Sequence, residues 1–412
     1  MSRPAVEVAD VLHEQGDRFI EQNLWLNYQQ LSVLRAIRRC RTAALGGHID
    51  QCSQCGHRAI SYNSCRNRHC PKCQAQARQR WLAAREKELL GVPYFHVVFT
   101  LPHELNPLCQ HNARVLYDLL FRASAATMLE VAANPQRLGA QIGFISILHT
   151  WGQNLLLHPH VHCLVPAGGF SPDHQSWIHP QYGFFLPVEV LSVVFRAKFA
   201  DGLRMACQQG KLIFPGSLAE LENPKRFAAF VDSLFRKEWV VYAKSAFGGP
   251  TQVLRYLGRY THRVAISNHR LLAFDGESVT FRWKDYAHGN KQRKMTLSAS
   301  EFLRRFTQHI LPRGFVRIRQ FGYLTNAQRS ARLARARQLL AEAPRPTERA
   351  APATPNTAVW RCPHCNGEMR IGPNLSARRL IFQCKPLDSS YIAADAAAQP
   401  RALRRGRTRV SK

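Results

Sequence analysis

Acidic side chains are scarce in this chain. Its 412 residues hold 27 Asp and Glu against 57 Lys and Arg, a formal charge of +30 spread along the sequence rather than confined to one tail. A field of that sign selects a polyanion, and each phosphate it neutralises releases counterions, so nucleic acid is the expected partner. There is also no apolar run of eighteen residues and no charged-then-apolar leader with a cleavage site, which predicts a soluble cytoplasmic protein without a membrane span. Core-forming residues are not lacking: 45% of the chain is hydrophobic, enough for two or three domains.

Of twelve cysteines, six fall in C-x2-C pairs, a pattern of zinc binding in a reducing compartment rather than of disulfides. Cys52 and Cys55 form one pair, Cys70 and Cys73 the next, with fourteen residues between them. Four thiolates in two knuckles close a tetrahedral Zn2+ site, and Gly56 supplies the permissive backbone of a knuckle turn. Such a module folds with its metal and, studded with Arg58, Arg66, Arg68, Lys72, Arg78 and Arg80, presents charge to DNA. Cys65, His69, His57 and His48 are surplus and open to a second ion or to supporting roles. A third knuckle, Cys362 and Cys365, is followed by one cysteine, Cys384, and is therefore incomplete.

The stretch His149–Val165 reads HTWGQNLLLHPHVHCLV. On a strand His160 and His162 face the same side, while Val161 and Cys163 face the other. Two imidazoles on one face grip a metal, and a third comes from His149 if 145–148 is a strand, 152–154 a turn and His160 the opening of the return strand. His158 shares the parity of His160 and His162, but Pro159 restricts the backbone and predicts a strand that begins only at His160.

Farther along, TQVLRYLGRYTHRVAIS places Tyr256 and Tyr260 four residues apart. On a helix the two phenols share a face, with Arg255, Arg259 and Arg263 beside them, a geometry suited to paired nucleophiles over a phosphate. The alternative is a helix that buries aromatic rings at the same spacing.

The order of a His-hydrophobic-His strand followed by a helical tyrosine pair resembles the HUH single-strand endonucleases. The wording HPHVHCLVPAGG and YLGRYTHRVAIS is similar to the two-tyrosine rolling-circle transposases of bacterial insertion sequences, which begin with a similar cysteine-rich zinc domain. The eleven-residue step from His149 to His160 also resembles the three-histidine site of conjugative relaxases and favours His149 as third ligand. This resemblance implies Mg2+ or Mn2+ at His149, His160 and His162. It also implies attack by Tyr256 or Tyr260 through a 5′-phosphotyrosine, and DNA partners that are single-stranded or hairpin ends of a mobile element, with nucleoid association while acting. A replication initiator or relaxase would share that chemistry, and a noncatalytic zinc-dependent DNA-binding protein is the reading from a different class. Oligomeric state is not legible.

The expected fold class is α+β: an HUH-type antiparallel sheet with helices on one face, preceded by a small zinc-binding domain. Residues 1–92 comprise two helices and the zinc module, with a further helix near 74–90. Residues 93–326 form the nuclease domain, with a buried strand at Tyr94–Leu101, helices over 108–134, 187–208 and 224–236, and strand-like runs with basic turns over 262–325. There, aromatics interleaved with Arg and Lys suit single-stranded DNA. Residues 327–412 are a basic region: a helix over 328–342, the disordered linker APRPTERAAPATPNT, the incomplete knuckle, and a basic arm ending RALRRGRTRVSK.

Overall fold

The computed structural model describes residues 4–180, 185–247, 252–253, 258, 265–286, 288–340 and 361–382. Two helices open the chain, α1 (Val8–Gln22) and α2 (Tyr28–Arg38). The second starts sharply because the Asn27 side chain accepts the Gln30 N–H while the Gln30 side chain accepts that of Asn27, both at 3.0 Å. Strands β1 (Gly47–Cys52) and β2 (Arg58–Tyr62) form a hairpin, and α3 (Pro71–Glu86) follows with Pro71 at its first position.

The central sheet begins with β3 (Tyr94–Thr100). After α4 (Asn106–His111) and α5 (Ala113–Ala133) come β4 (Gly143–Trp151) and β5 (Leu157–Pro166). A two-stranded ribbon, β6 (Gly169–Phe170) and β7 (Trp177–Ile178), leads to α6 (Val188–Gln208), α7 (Pro224–Phe235) and β8 (Val241–Phe247). Three strands, β9 (Leu271–Phe274), β10 (Ser278–Asp285) and β11 (Lys291–Ser298), make a second sheet. Then β12 (Ile318–Gly322) returns to the edge of the first, giving the antiparallel order β12-β4-β5-β3-β8. The last strand, β13 (Met369–Leu375), pairs with β1.

Period-two alternation decides the two faces of the central sheet. Phe95, Val97, Phe99, Leu148, Val161, Cys163 and Val165 point into a large core completed by α5, α6 and α7. The first two of those helices approach closely because residue 202 is glycine, where a Cβ would lie 2.2 Å from Leu119 Cδ1. The antiparallel sheet with helices is the α+β class expected, but helices cover both of its faces rather than one, since the helix Arg329–Leu339 packs on the other side. On the opposite face Tyr94, Ile145, Ile147 and Leu164 pack with Leu89, Leu90 and Val253.

Two local expectations are corrected. The run EFLRRFTQHIL, grouped with strands, forms the helix Ala299–Thr307. The Ser298 side chain caps it by accepting the Glu301 N–H, Glu301 pairs with Arg304 and Arg305, and Phe302, Leu303 and Phe306 bury one stripe. Strand β5 begins at Leu157, not at His160, and takes Pro159 into its run. The proline is accommodated because the β4–β5 ladder shifts between His149 and Trp151, beside it, so its missing N–H falls at an irregularity.

Long-range packing crosses the boundaries drawn from composition. Val8, Val11, Leu12, Phe19, Val33, Leu34 and Ile37 share a core with Ile266, Leu271, Phe281, Phe302 and Phe306, so α1 and α2 rest on the second sheet. Likewise the C-terminal knuckle segment reaches back to the hairpin β1–β2. The linker, Cys384 and the basic arm lie outside the described residues.

Candidate metal centres and active site

The antiparallel register of β4 and β5 sets His149 directly opposite His160, and Ile147 opposite His162. His149, His160 and His162 therefore converge, each offering one ring nitrogen, all within 4.8 Å of one another. His162 Nε2 and His149 Nδ1 stand 3.1 Å apart. Side-chain contacts fix which nitrogen is free. His160 Nδ1 lies 2.6 Å from the His158 carbonyl, which only accepts, so Nδ1 carries the proton and Nε2 keeps its lone pair. Burial holds the His160 pKa down to about 3, with His158 adding to the effect, so the imidazole is neutral and available as a ligand.

His96 completes the arrangement. It stands on β3 diagonally from His162, and its Nε2 lies 2.9 Å from His162 Nδ1, with the rings stacked at 5.1 Å. That contact turns His162 Nε2 toward His149. Burial, reinforced by Lys244, lowers the His96 pKa to about 3. His158 is exposed and stands outside the trio, because its strand position lies beyond the residue paired with His149. His149, eleven residues before His160, is the third histidine of this group.

Tyr256, Tyr260, Arg255, Arg259 and Arg263 lie outside the described residues. Around Tyr256 the chain is described at Gln252, Val253 and Gly258, all helical. Val253 is fully buried in the cluster that holds Ile145, Ile147 and Leu164, the apolar part of the histidine-bearing face. Gly258 is held by α3: its carbonyl accepts from Arg78 Nη1 at 3.3 Å, and a Cβ on it would stand 3.2 Å from Leu82 Cδ1.

The cysteines assort differently from the expected single site. Cys52 and Cys55 do not meet Cys70 and Cys73. Instead Cys40, Cys65, Cys70 and Cys73 form one cluster, and Cys52, Cys55, Cys362 and Cys365 form another, each with its sulfurs within 4.8 Å. The reason is topological: β1 carries Cys52 to the far end of the hairpin, while Cys70 caps α3, beside Cys40 just beyond the end of α2. In the first cluster Cys73 Sγ lies 3.5 Å from Cys40 Sγ and 3.6 Å from Cys65 Sγ. A tetrahedron of ~2.3 Å Zn–S bonds has edges of about 3.8 Å, and the described cysteines are all free thiols, so both quartets fit Zn2+. Protonation agrees. Neighbouring thiols push Cys70 and Cys65 up while they hold Cys73 and Cys40 down, as expected where four sulfurs cannot all ionise without a cation. Cys40 was missed because it is a lone cysteine outside any C-x2-C pair.

Residues 143–331 match the family model "Putative transposase", and residues 11–101 match "Transposase zinc-binding domain". The chain is 50% identical over 379 residues to the protein named "Putative transposase y4qJ" of Sinorhizobium fredii (strain NBRC 101917 / NGR234), covering 90% of this chain and 95% of that one. It is 29% identical over 394 residues to "Transposase for insertion sequence element IS801" of Pseudomonas savastanoi pv. phaseolicola, covering 93% and 91%. No solved structure matches it. With a zinc-binding domain carrying clustered thiols, and near end-to-end similarity to these relatives, the chain belongs to the IS91/IS801 family of insertion-sequence transposases.

Proposed function

We propose that this transposase nicks and rejoins single-stranded DNA through a 5′-phosphotyrosine, with Tyr256 and Tyr260 as nucleophiles, in a rolling-circle-like transposition. The observation that carries the proposal is the convergence of His149, His160 and His162 on the sheet face against which Val253, three residues before Tyr256, is buried. His149, His160 and His162 would hold a divalent ion through one ring nitrogen each. A bound divalent ion supplies Lewis-acid polarisation of the scissile phosphate and fixes its orientation. An all-imidazole set lacks the oxygen ligands that Mg2+ prefers, so of the two ions expected Mn2+ suits it better.

The chain's own residues do the rest. A tyrosine phenol has a pKa near ~10 and attacks as the phenolate, which the cations Arg255, Arg259 and Arg263 favour by proximity in sequence. The phenolate oxygen bonds to phosphorus, the P–O3′ bond breaks, and the departing 3′-oxygen takes up a proton. The phosphodiester energy is retained in the tyrosyl ester, so a 3′-hydroxyl of another strand reverses the step without ATP. Two nucleophiles allow one strand to stay attached while a second is cut. The surplus of cations supplies most of the affinity and makes it strongly salt-dependent.

The test is covalent capture. Single-stranded or hairpin oligonucleotides from the element's ends, labelled 3′ of the nick, are incubated with the protein and Mn2+, and the adduct is mapped by peptide mass. A label on Tyr256 or Tyr260 is expected, and none in the Tyr256→Phe, Tyr260→Phe double variant, which keeps both rings. An adduct surviving in that variant places the nucleophile elsewhere. A chain that binds the oligonucleotides yet never forms an adduct is a binding protein.

A further inference from the structure

Six cysteines lie between residues 40 and 73, and four of them, Cys40, Cys65, Cys70 and Cys73, close one site. That leaves Cys52 and Cys55 two ligands short within the matched zinc-binding domain. The missing pair comes from 307 residues away: Cys362 Sγ lies 3.6 Å from Cys55 Sγ, and Cys365 Sγ 3.4 Å from Cys52 Sγ. Residues 361–382 fall outside both family-model matches.

The two half-sites are built alike. In each, the first cysteine's backbone N–H donates at 2.8 Å to the carbonyl five residues on, His57 or Gly367. The residue after the second cysteine, Gly56 or Asn366, takes a positive φ of 74° or 59° and returns its N–H to the first cysteine's carbonyl. An amide inside each turn, from Gln54 or His364, points at the first sulfur at 3.4 Å. Both are metal knuckles, and each alone is half a site.

The strands bring the knuckles together. Strand β13 pairs antiparallel with β1, which becomes the middle of a three-stranded sheet. Gly372 passes so close that a Cβ there would stand 2.0 Å from the Ile49 carbonyl oxygen, at a point where the ladder shifts register. Among the described residues, the apolar cluster at the knuckles is Cys52, Cys362 and Met369, with Ala59 against it. Beyond this cluster the segment buries Leu375 and Leu380 and pairs along β1, and a tetrathiolate ion adds a hold that so small a core lacks by itself.

We propose that Cys52, Cys55, Cys362 and Cys365 bind a second Zn2+ ion, and that this ion clasps residues 361–382 onto the N-terminal zinc-binding domain. The inference is independent of the nuclease reading.

Two measurements on the full chain test it. Co2+ substitution reports thiolate ligands alone through sulfur-to-metal charge-transfer absorption, to which the histidine centre is silent. The parent should show two tetrathiolate ions, and the Cys362→Ser, Cys365→Ser variant one, a halving of the band. Cys365→His, which restores a ligand, should recover two ions. For the clasp, a specific protease site is inserted within 341–360 and cut. The C-terminal fragment should co-elute with the body in Zn2+ and be released by chelator or by the double serine substitution. An unchanged cobalt band in the double variant, disulfides in the reduced parent, or a fragment that stays bound without these thiols would overturn the proposal.

Discussion

The histidine centre and the thiol centres are both sets of converging metal donors, but they are assembled over very different distances. His149, His160 and His162 come from one hairpin, and strand parity with the β4–β5 register is enough to unite them. Cys52, Cys55, Cys362 and Cys365 come from opposite ends of the chain, joined by a strand pairing that no local period announces. A site made inside one supersecondary unit is written in its spacing. One made between units leaves only half-sites in the sequence, each looking like a complete hint of something else.

The largest effect expected on this contrast is at the hairpin. His160→Ala and His162→Ala should each bring cleavage to background while leaving affinity for single-stranded DNA within about threefold, since phosphate contacts across a basic surface supply the binding. His149→Ala should be equally severe and His158→Ala mild, because His158 is exposed and outside the trio. Adduct yield and a binding titration separate the two quantities. If His158→Ala is the severe variant, the hairpin register does not define the centre.

What could be read in advance follows the same division. The central sheet was legible because YFHVVFT, GFISILHTW and the run after Pro159 are strand-like at the right parity, and the helices because their apolar stripes recur at helical spacing. The zinc ligands were legible as knuckles but not as partners. Cys52–Cys55 and Cys70–Cys73 are near in sequence, and nearness suggested a single site. The β1–β2 hairpin and Cys40 decided otherwise. His96, a lone histidine in an apolar strand, is placed only once β3 is known to lie beside β5 with Val98 opposite His162.

The two thiol centres differ from each other as well, which gives the next effect in size. Cys40 and Cys70 are fully buried in the core that joins α1 and α2 to the second sheet, whereas Cys55 and Cys365 are exposed. Cys40→Ser should cost at least about 4 kcal/mol, the scale of losing a structural metal, and should loosen that core. Cys365→Ser should leave its thermal unfolding nearly unchanged. With a chelator titrated in, the exposed site should empty first, seen as two steps in metal release. A single step, or the reverse order, would mean that burial does not rank the sites.

Within the hairpin, His96 offers a subtler probe. Replacement by Phe keeps the stacked ring and removes the nitrogen that meets His162 Nδ1. Loss of such an outer partner typically weakens metal affinity or activity ~10–100-fold. The expected signature is a higher Mn2+ concentration for half-maximal cleavage, with the saturated rate largely recovered. A rate that falls without any shift in metal dependence would assign His96 to packing alone.

The smallest effect lies at the seam between the two regions, where His309 joins the end of the helix Ala299–Thr307 to the hairpin. Its Nε2–H donates to the Leu155 carbonyl at 3.0 Å, and its Nδ1 accepts from Thr150 Oγ1 at 3.2 Å, so the neutral ring is satisfied on both sides. Burial lowers its pKa to about 4, and His69 and Arg317 line the same small cavity, so a second positive charge there is unwelcome. The folded state binds this proton less readily than the unfolded chain, whose histidines titrate near ~6.5, so the contribution is intact above that pH and declines as pH falls toward the folded value. At neutral pH protonation of His309 should therefore cost almost nothing, and by pH 5.5 on the order of 1 kcal/mol. His309→Gln retains a donor for Leu155 but cannot take up the proton. It should unfold less steeply than the parent between pH 7.5 and 5.5, the two denaturant midpoints drawing closer as the solution is acidified. Parallel pH profiles for the two proteins would show that His309 takes up its proton equally in both states, and that the seam adds no pH sensitivity to the fold.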